Sequence, residues 1–77
     1  MTAAGIIVRC ARLNLTPGMG DFFEVELDDG SIYHTAKVDR YEWAKECKGK
    51  RVAISYMMPQ HSNKKFFWKI EVIRDNA

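Results

Sequence analysis

Two histidines, two cysteines and nine aromatic rings are the side chains of this 77-residue chain best suited to chemistry. Catalysis finds little support among them. His34 and His61 stand apart, and no Asp or Glu holds a base-like relation to either. A nucleophilic thiol needs a base beside it, and the sequence shows none for Cys47. Cys10 and Cys47 fit neither a metal-ligand spacing nor a CxxC motif. Gly18 and Gly20 flank Met19 with no following Lys-Ser/Thr, so no phosphate-cradling loop is present. The chain therefore reads as a non-enzyme, with no cofactor and no metal implied. What remains is binding, through aromatic faces on which bases or partner side chains pack and cations that track phosphates.

Length and composition bound that reading. A chain this short forms one domain, and 47% hydrophobic residues suffice for one small core. The net charge of +2 does not by itself call for a nucleic-acid partner. The charge is unevenly placed, however: residues 1–38 hold three basic and five acidic side chains, and residues 39–77 hold nine and five. Cations thus collect toward the second half, at Lys48, Lys50, Arg51, Lys64 and Lys65. Two isolated cysteines without a signal segment suggest buried thiols in a reduced cytoplasm. The apolar run "AAGIIV" is too short to span a membrane.

The elements that must position the aromatics follow from periodicity. "GIIVRCARLNL", Gly5 to Leu15, alternates as a long strand with Ile6, Val8 and Cys10 on one face and Arg9 and Ala11 on the other. "TPGMG", Thr16 to Gly20, is a loop with Met19 at its tip. "FFEVELDDGSIYHT" predicts a hairpin around a two-residue Asp29-Gly30 turn of type I′. That turn pairs Leu27 with Ile32, Glu26 with Tyr33, Val25 with His34 and Phe23 with Ala36. Phe23, Val25, Leu27 and His34 then face inward, and Phe22, Glu24, Glu26 and Tyr33 outward.

"VDRYEWAKECKGK" switches to a helix of about two to three turns. Asp39 and Glu42 resemble a capping box, Tyr41, Ala44 and Cys47 recur at steps of three, and Gly49 stands at the C-terminal end. "RVAISYMM" returns to a strand with Val52, Ile54, Tyr56 and Met58 inside. The polar loop "PQHSNKK" leads to a last strand, "FFWKIEVIRD", expected to place Trp68, Ile70 and Val72 inside and Phe67, Lys69 and Glu71 outside. Residues 1–4 and 75–77 are expected to fray. The fold class is therefore mainly β: a five-stranded OB-like (oligonucleotide/oligosaccharide-binding) barrel, residues 1–77, with one short helix between strands 3 and 4. An SH3-like barrel is the competitor, and it usually lacks that helix.

"FFEVELDDG", then "GKRVAISYMMP", then a closing strand, resembles the S1-type OB domain of the bacterial translation initiation factor one family. Phe23, Val25, Leu27, Gly30, Gly49, Val52 and Ile54 occupy the family's positions. The resemblance is at superfamily level and spans most of the chain. It rests on residues that specify a barrel, so it implies the OB fold more than the ribosomal role.

OB barrels bind single strands across strands 2 and 3, between the loops joining strands 1–2 and 4–5. In this sequence that surface draws on Phe22, Tyr33, Lys37, Arg9, Phe67 and Lys69, with His61, Lys64 and Lys65 from the 4–5 loop. The expected function is binding of single-stranded or structured RNA or DNA. Glu24 and Glu26 lie on the same face and would repel phosphate. The alternative is a protein-interaction module, an adaptor or inhibitor using the same aromatics, with a homodimer as a third option. No membrane partner is implied.

Overall fold

The computed structural model describes residues 1–13 and 22–73. The expected loop Thr16–Gly20, the end of the first strand at Asn14 and Leu15, and the tail from 74 onward lie outside the described residues. The elements run β1 (Thr2–Leu13), β2 (Phe22–Leu27), β3 (Ile32–Thr35), α1 (Val38–Glu46), β4 (Arg51–Met57) and β5 (Phe66–Val72). Their order and types match the sequence reading. The sheet closes in a ring, β1-β2-β3-β5-β4 and back to β1. All pairings are antiparallel except β3 with β5, which meet in parallel at His34 and Phe66.

Strand β1 serves two neighbours. Its first half pairs with β4, Thr2 opposite Ser55, and its second half pairs with β2. The first residues pair along β4, and the Met1 ammonium donates to the Tyr56 carbonyl at 3.1 Å. Between the two halves the register shifts from Ile7 opposite Leu27 to Arg9 opposite Glu26, leaving Val8 as an extra residue. This bulge overturns the simple alternation expected for β1. Ile7 is fully buried, Ile6 and Val8 are exposed, and Cys10 packs on the core.

The hairpin is also offset by one residue from the expected pairing. Leu27 donates its N–H to the Ser31 carbonyl at 2.9 Å, and Gly30 donates to the Leu27 carbonyl at 2.9 Å. The loop is thus Asp28-Asp29-Gly30, three residues, with only Gly30 at positive φ (+88°). A type I′ turn needs positive φ at two positions, whereas a type I turn closed by a left-handed glycine needs one. Asp29 Oδ1 accepts from the Ser31 N–H at 2.9 Å and from its hydroxyl, which fixes this form. Val25 now opposes Tyr33 and Glu24 opposes His34. A one-residue slip moves every side chain of β3 to the other face. Tyr33 is inside and 2% exposed.

Helix α1 lays Tyr41, Ala44 and Cys47 against the strands, as the steps of three predicted. Tyr41 stacks on Phe23 with centroids 4.3 Å apart. The expected capping box is not formed: Lys37 holds the N-cap position and no side chain caps the helix. Asp39 still sits in the first turn and Lys45 in the last, which suits the helix dipole. Gly49 has the positive φ expected of it (+86°), and its N–H reaches the Ile7 carbonyl at 2.8 Å.

In β4, Val52 and Ile54 are fully buried, but Met58 lies beyond the strand and is exposed. Strand β5 is the third correction of face. Lys69 opposes Ser55, yet Phe67 opposes Tyr56, so Trp68 is the extra residue of another bulge. Phe67 and Ile70 are buried, while Trp68 and Val72 are exposed. Ile7, Val25, Leu27, Tyr33, Val52, Ile54, Phe67 and Ile70 form one interior with the helix residues Ala44 and Cys47.

Candidate functional site

The three backbone irregularities decide which side chains look outward. With β3 in its observed register, His34 turns to the outer face, opposite Glu24 on β2 and level with Phe66 on β5, where it is covered and only 8% exposed. Phe66 in turn opposes Met57 on β4. Phe22, two residues before Glu24, lays its ring on His34 with centroids 5.1 Å apart and planes 15° from parallel. The same ring meets Phe66 edge-on at 5.9 Å. Three aromatic rings from three strands thus gather over the parallel β3–β5 seam. The Lys64 ammonium stands 5.8 Å from the Phe22 centroid, within the range of a cation–π contact.

Beside this cluster the acidic residues are already engaged. Arg9 donates from Nη2 to Glu24 and from Nε to Glu26, the latter at 2.9 Å. Glu24 also holds His34 Nε2 at 3.5 Å through its second oxygen. The hydrogen bond from Arg9 is the main reason the Glu24 carboxyl is held below the usual carboxylate range. The His34 imidazole is pushed down by burial first and by Lys64 second, which together outweigh the pull of Glu24. The ring is therefore neutral near pH 7. Its Nδ1 is buried and finds no hydrogen-bond partner among the described residues.

The lysines of the β4–β5 loop divide their roles. Lys65 places its ammonium 5.3 Å from the Tyr33 centroid and 5.7 Å from that of Tyr56, two rings in edge contact at 5.1 Å. It covers one end of the interior. Lys64 is exposed, its backbone N–H tied to Ser62 Oγ at 3.0 Å. His61 is exposed in the turn from Pro59 to Ser62.

Of the residues expected to form a surface, Arg9, Phe22 and Lys64 come together. Tyr33 and Phe67 do not: both point into the core, because of the hairpin offset and the β5 bulge. Lys69 is outside but pairs with Glu71 at 2.6 Å. Lys37 is exposed at the start of α1, where its N–H donates to Thr35 Oγ1 at 3.1 Å. His34, Phe66 and Trp68 were not anticipated on this surface. The one available signal was the run "FFW", where three consecutive rings leave the phase of alternation open.

Burial pushes both thiols, Cys10 and Cys47, above their ordinary range, and both are free. Among the described residues no group of three or more His, Cys, Asp or Glu is placed to hold a metal ion. Among those residues, too, no helix is long and apolar enough to cross a membrane. No protein-family model, curated protein or solved structure matches the chain.

Proposed function

We propose that the ring is an OB-like barrel that binds single-stranded nucleic acid, without catalysing a reaction, on the outer face where β2, β3 and β5 meet. The single observation carrying this reading is the Phe22–His34–Phe66 cluster with Lys64 poised over it. Base–aromatic stacking contributes about 1–3 kcal/mol per base, and a micromolar complex needs about 8 kcal/mol. Two stacked bases and a few phosphate contacts reach that range. Phe22 and Phe66 are the stacking rings, and Lys64 and Lys37 the phosphate contacts. Arg9 is a positioning residue: it ties up Glu24 and Glu26, which offsets the repulsion those carboxylates would exert on phosphate. The ring order, the parallel β3–β5 closure and the helix between β3 and β4 support the OB assignment. Two free cysteines fit a reducing compartment such as the cytoplasm.

A protein-interaction module is the second reading, and one observation favours it. Met57 and Met58 follow one another in sequence, Met57 opposes Phe66, and Met57, Met58 and Trp68 are all exposed. Interface cores favour Met and aromatics. Fluorescence-anisotropy titration of labelled single-stranded DNA and RNA at low and moderate salt separates the two. Salt-sensitive binding at micromolar protein is the expected result. Absence of binding at low salt removes the nucleic-acid reading and leaves the protein one.

A further inference from the structure

Trp68 has no function in the interior, and the backbone is bent to keep it out. Regular alternation from the buried Ile70 would turn Trp68 inward and Phe67 outward. The bulge between Ser55 and Tyr56 inverts this, so that Phe67 is 2% exposed and Trp68 51% exposed. A bulge disrupts the ladder locally and re-aims a side chain. Here it carries the largest side chain of β5 onto the face that already holds Phe66. Leaving half an indole in water forgoes apolar burial that a chain this small can ill spare.

We infer that Trp68 is a third stacking platform, and that the ligand is a flexible, pyrimidine-rich single strand crossing β2, β3 and β5 in sequence. The inference rests on the nucleic-acid reading above and adds its path and its base preference. The path follows from placement. Phe22 and Phe66 are in contact across the seam, and Trp68 lies two residues along β5 from Phe66 on the same outer side. Two residues of strand span about 6.6 Å. Successive bases in a duplex strand rise about 3.4 Å, so bases on Phe66 and Trp68 must be unstacked from each other. Pyrimidine tracts give up their own stacking most readily, and preferences among single strands arise from stacking strength and flexibility. Charge agrees at both ends: Lys64 stands by Phe22 and Lys69 follows Trp68. The Lys69–Glu71 pair is solvent-exposed and gives way at little cost.

The molecule provides its own probe, because its only tryptophans are Trp43 and Trp68. In the Trp43→Phe protein all indole emission comes from Trp68. Titration with a thymidine 12-mer should quench that emission and saturate together with the anisotropy of the labelled oligomer. An adenosine 12-mer should bind more weakly. Trp68→Ala should weaken thymidine-tract binding roughly 5- to 150-fold, the conversion of one stacked base, and Trp68→Phe should restore most of it. Because Trp68 is half exposed and lies outside the core cluster, these variants should fold. Oligomer binding with unchanged Trp68 emission and an unaffected Trp68→Ala variant overturns the inference while the nucleic-acid reading stands. Binding of the adenosine tract as tightly as the thymidine tract overturns the base preference. No binding of either oligomer at low salt overturns both readings.

Discussion

Lys64 and Lys65 are adjacent in sequence, and their geometry predicts opposite consequences for replacing them. Lys64 is exposed and covers a half-buried ring on the proposed binding face. Lys65 sits over Tyr33 and Tyr56, of which Tyr33 is buried. A base stacking on Phe22 displaces the Lys64 ammonium from the ring and leaves it free for phosphate. On a single strand each phosphate contact adds about 0.7 to the slope of log K against log salt. Raising salt fourfold, from about 50 to 200 mM, should therefore cost about 2.6-fold less affinity in Lys64→Ala than in the parent. Lys65→Ala should leave the slope alone. It should instead remove a cation–π contact of about 1 kcal/mol and lower the melting temperature by about 4–8 °C. Anisotropy titrations at four salt concentrations, with melts of each variant, read both quantities. If Lys65→Ala flattened the slope while melting normally, the division of roles would be wrong.

Three further outcomes follow from the packing. A Cβ at Gly5 would lie 2.7 Å from Asp28 Oδ1 and 3.3 Å from Leu27 Cδ1. That carboxylate accepts from the Ile6 N–H at 3.0 Å, so Gly5→Ala should cost about 1–2 kcal/mol in urea unfolding, and less in an Asp28→Ala background. Phe67→Ala should cost about 3–5 kcal/mol by leaving a cavity, and Trp68→Ala less than about 1, reversing what plain alternation in β5 implies. Acidification should destabilise the fold in two stages. His34 is depressed in the fold, so the unfolded chain takes up the proton first and stability falls as pH drops below about 6.5. Glu24 is depressed as well, so its contribution is intact above the ordinary carboxylate range and is lost as pH falls through its lower folded value. Melting temperature should be flat from pH 8 to 7, and His34→Phe should abolish the decline between about pH 6.5 and 5.5.

The order of elements, the helix and most of the core were legible in the sequence because they rest on periodicity. Val25, Leu27, Val52, Ile54 and Ile70 sit where alternation puts them, and Tyr41, Ala44 and Cys47 where helical steps do. The surface was less legible because single-residue offsets set it. Val8 and Trp68 are bulged residues; nothing local marks Val8, and the run "FFW" leaves the phase at Trp68 open without choosing it. Each depends on which of two neighbouring apolar residues the closed ring can accommodate: Ile7 over Ile6, and Phe67 over Trp68. The capping box failed for a related reason. The helix starts at Val38, so Asp39 is already inside the first turn when an N-cap is needed.

The hairpin shows how such choices are decided. Asp29-Gly30 is a strong two-residue turn signal, yet the loop takes three residues. The two-residue form would have turned Tyr33 out and His34 in. A tyrosine buries about 150–250 Å², worth about 4–6 kcal/mol at 25 cal/mol/Å², whereas turn preferences differ by about 1–2 kcal/mol. The interior therefore dictates the register, and the loop adopts the form that closes it. Deleting Asp29 tests this order of precedence. It leaves Asp28-Gly30 as a two-residue loop between Leu27 and Ser31, which is compatible with the observed pairing. The variant gives up some stability, because Asp28 leaves the Ile6 N–H, but cross-strand NOEs should still join Val25 to Tyr33 and Glu24 to His34. A shift of Val25 onto His34 would keep a three-residue loop, Asp28-Gly30-Ser31, and would mean that loop length rather than the core sets the register. It would also separate Phe22 from the His34–Phe66 pair and dismantle the platform, so the hairpin register and the binding face stand or fall together.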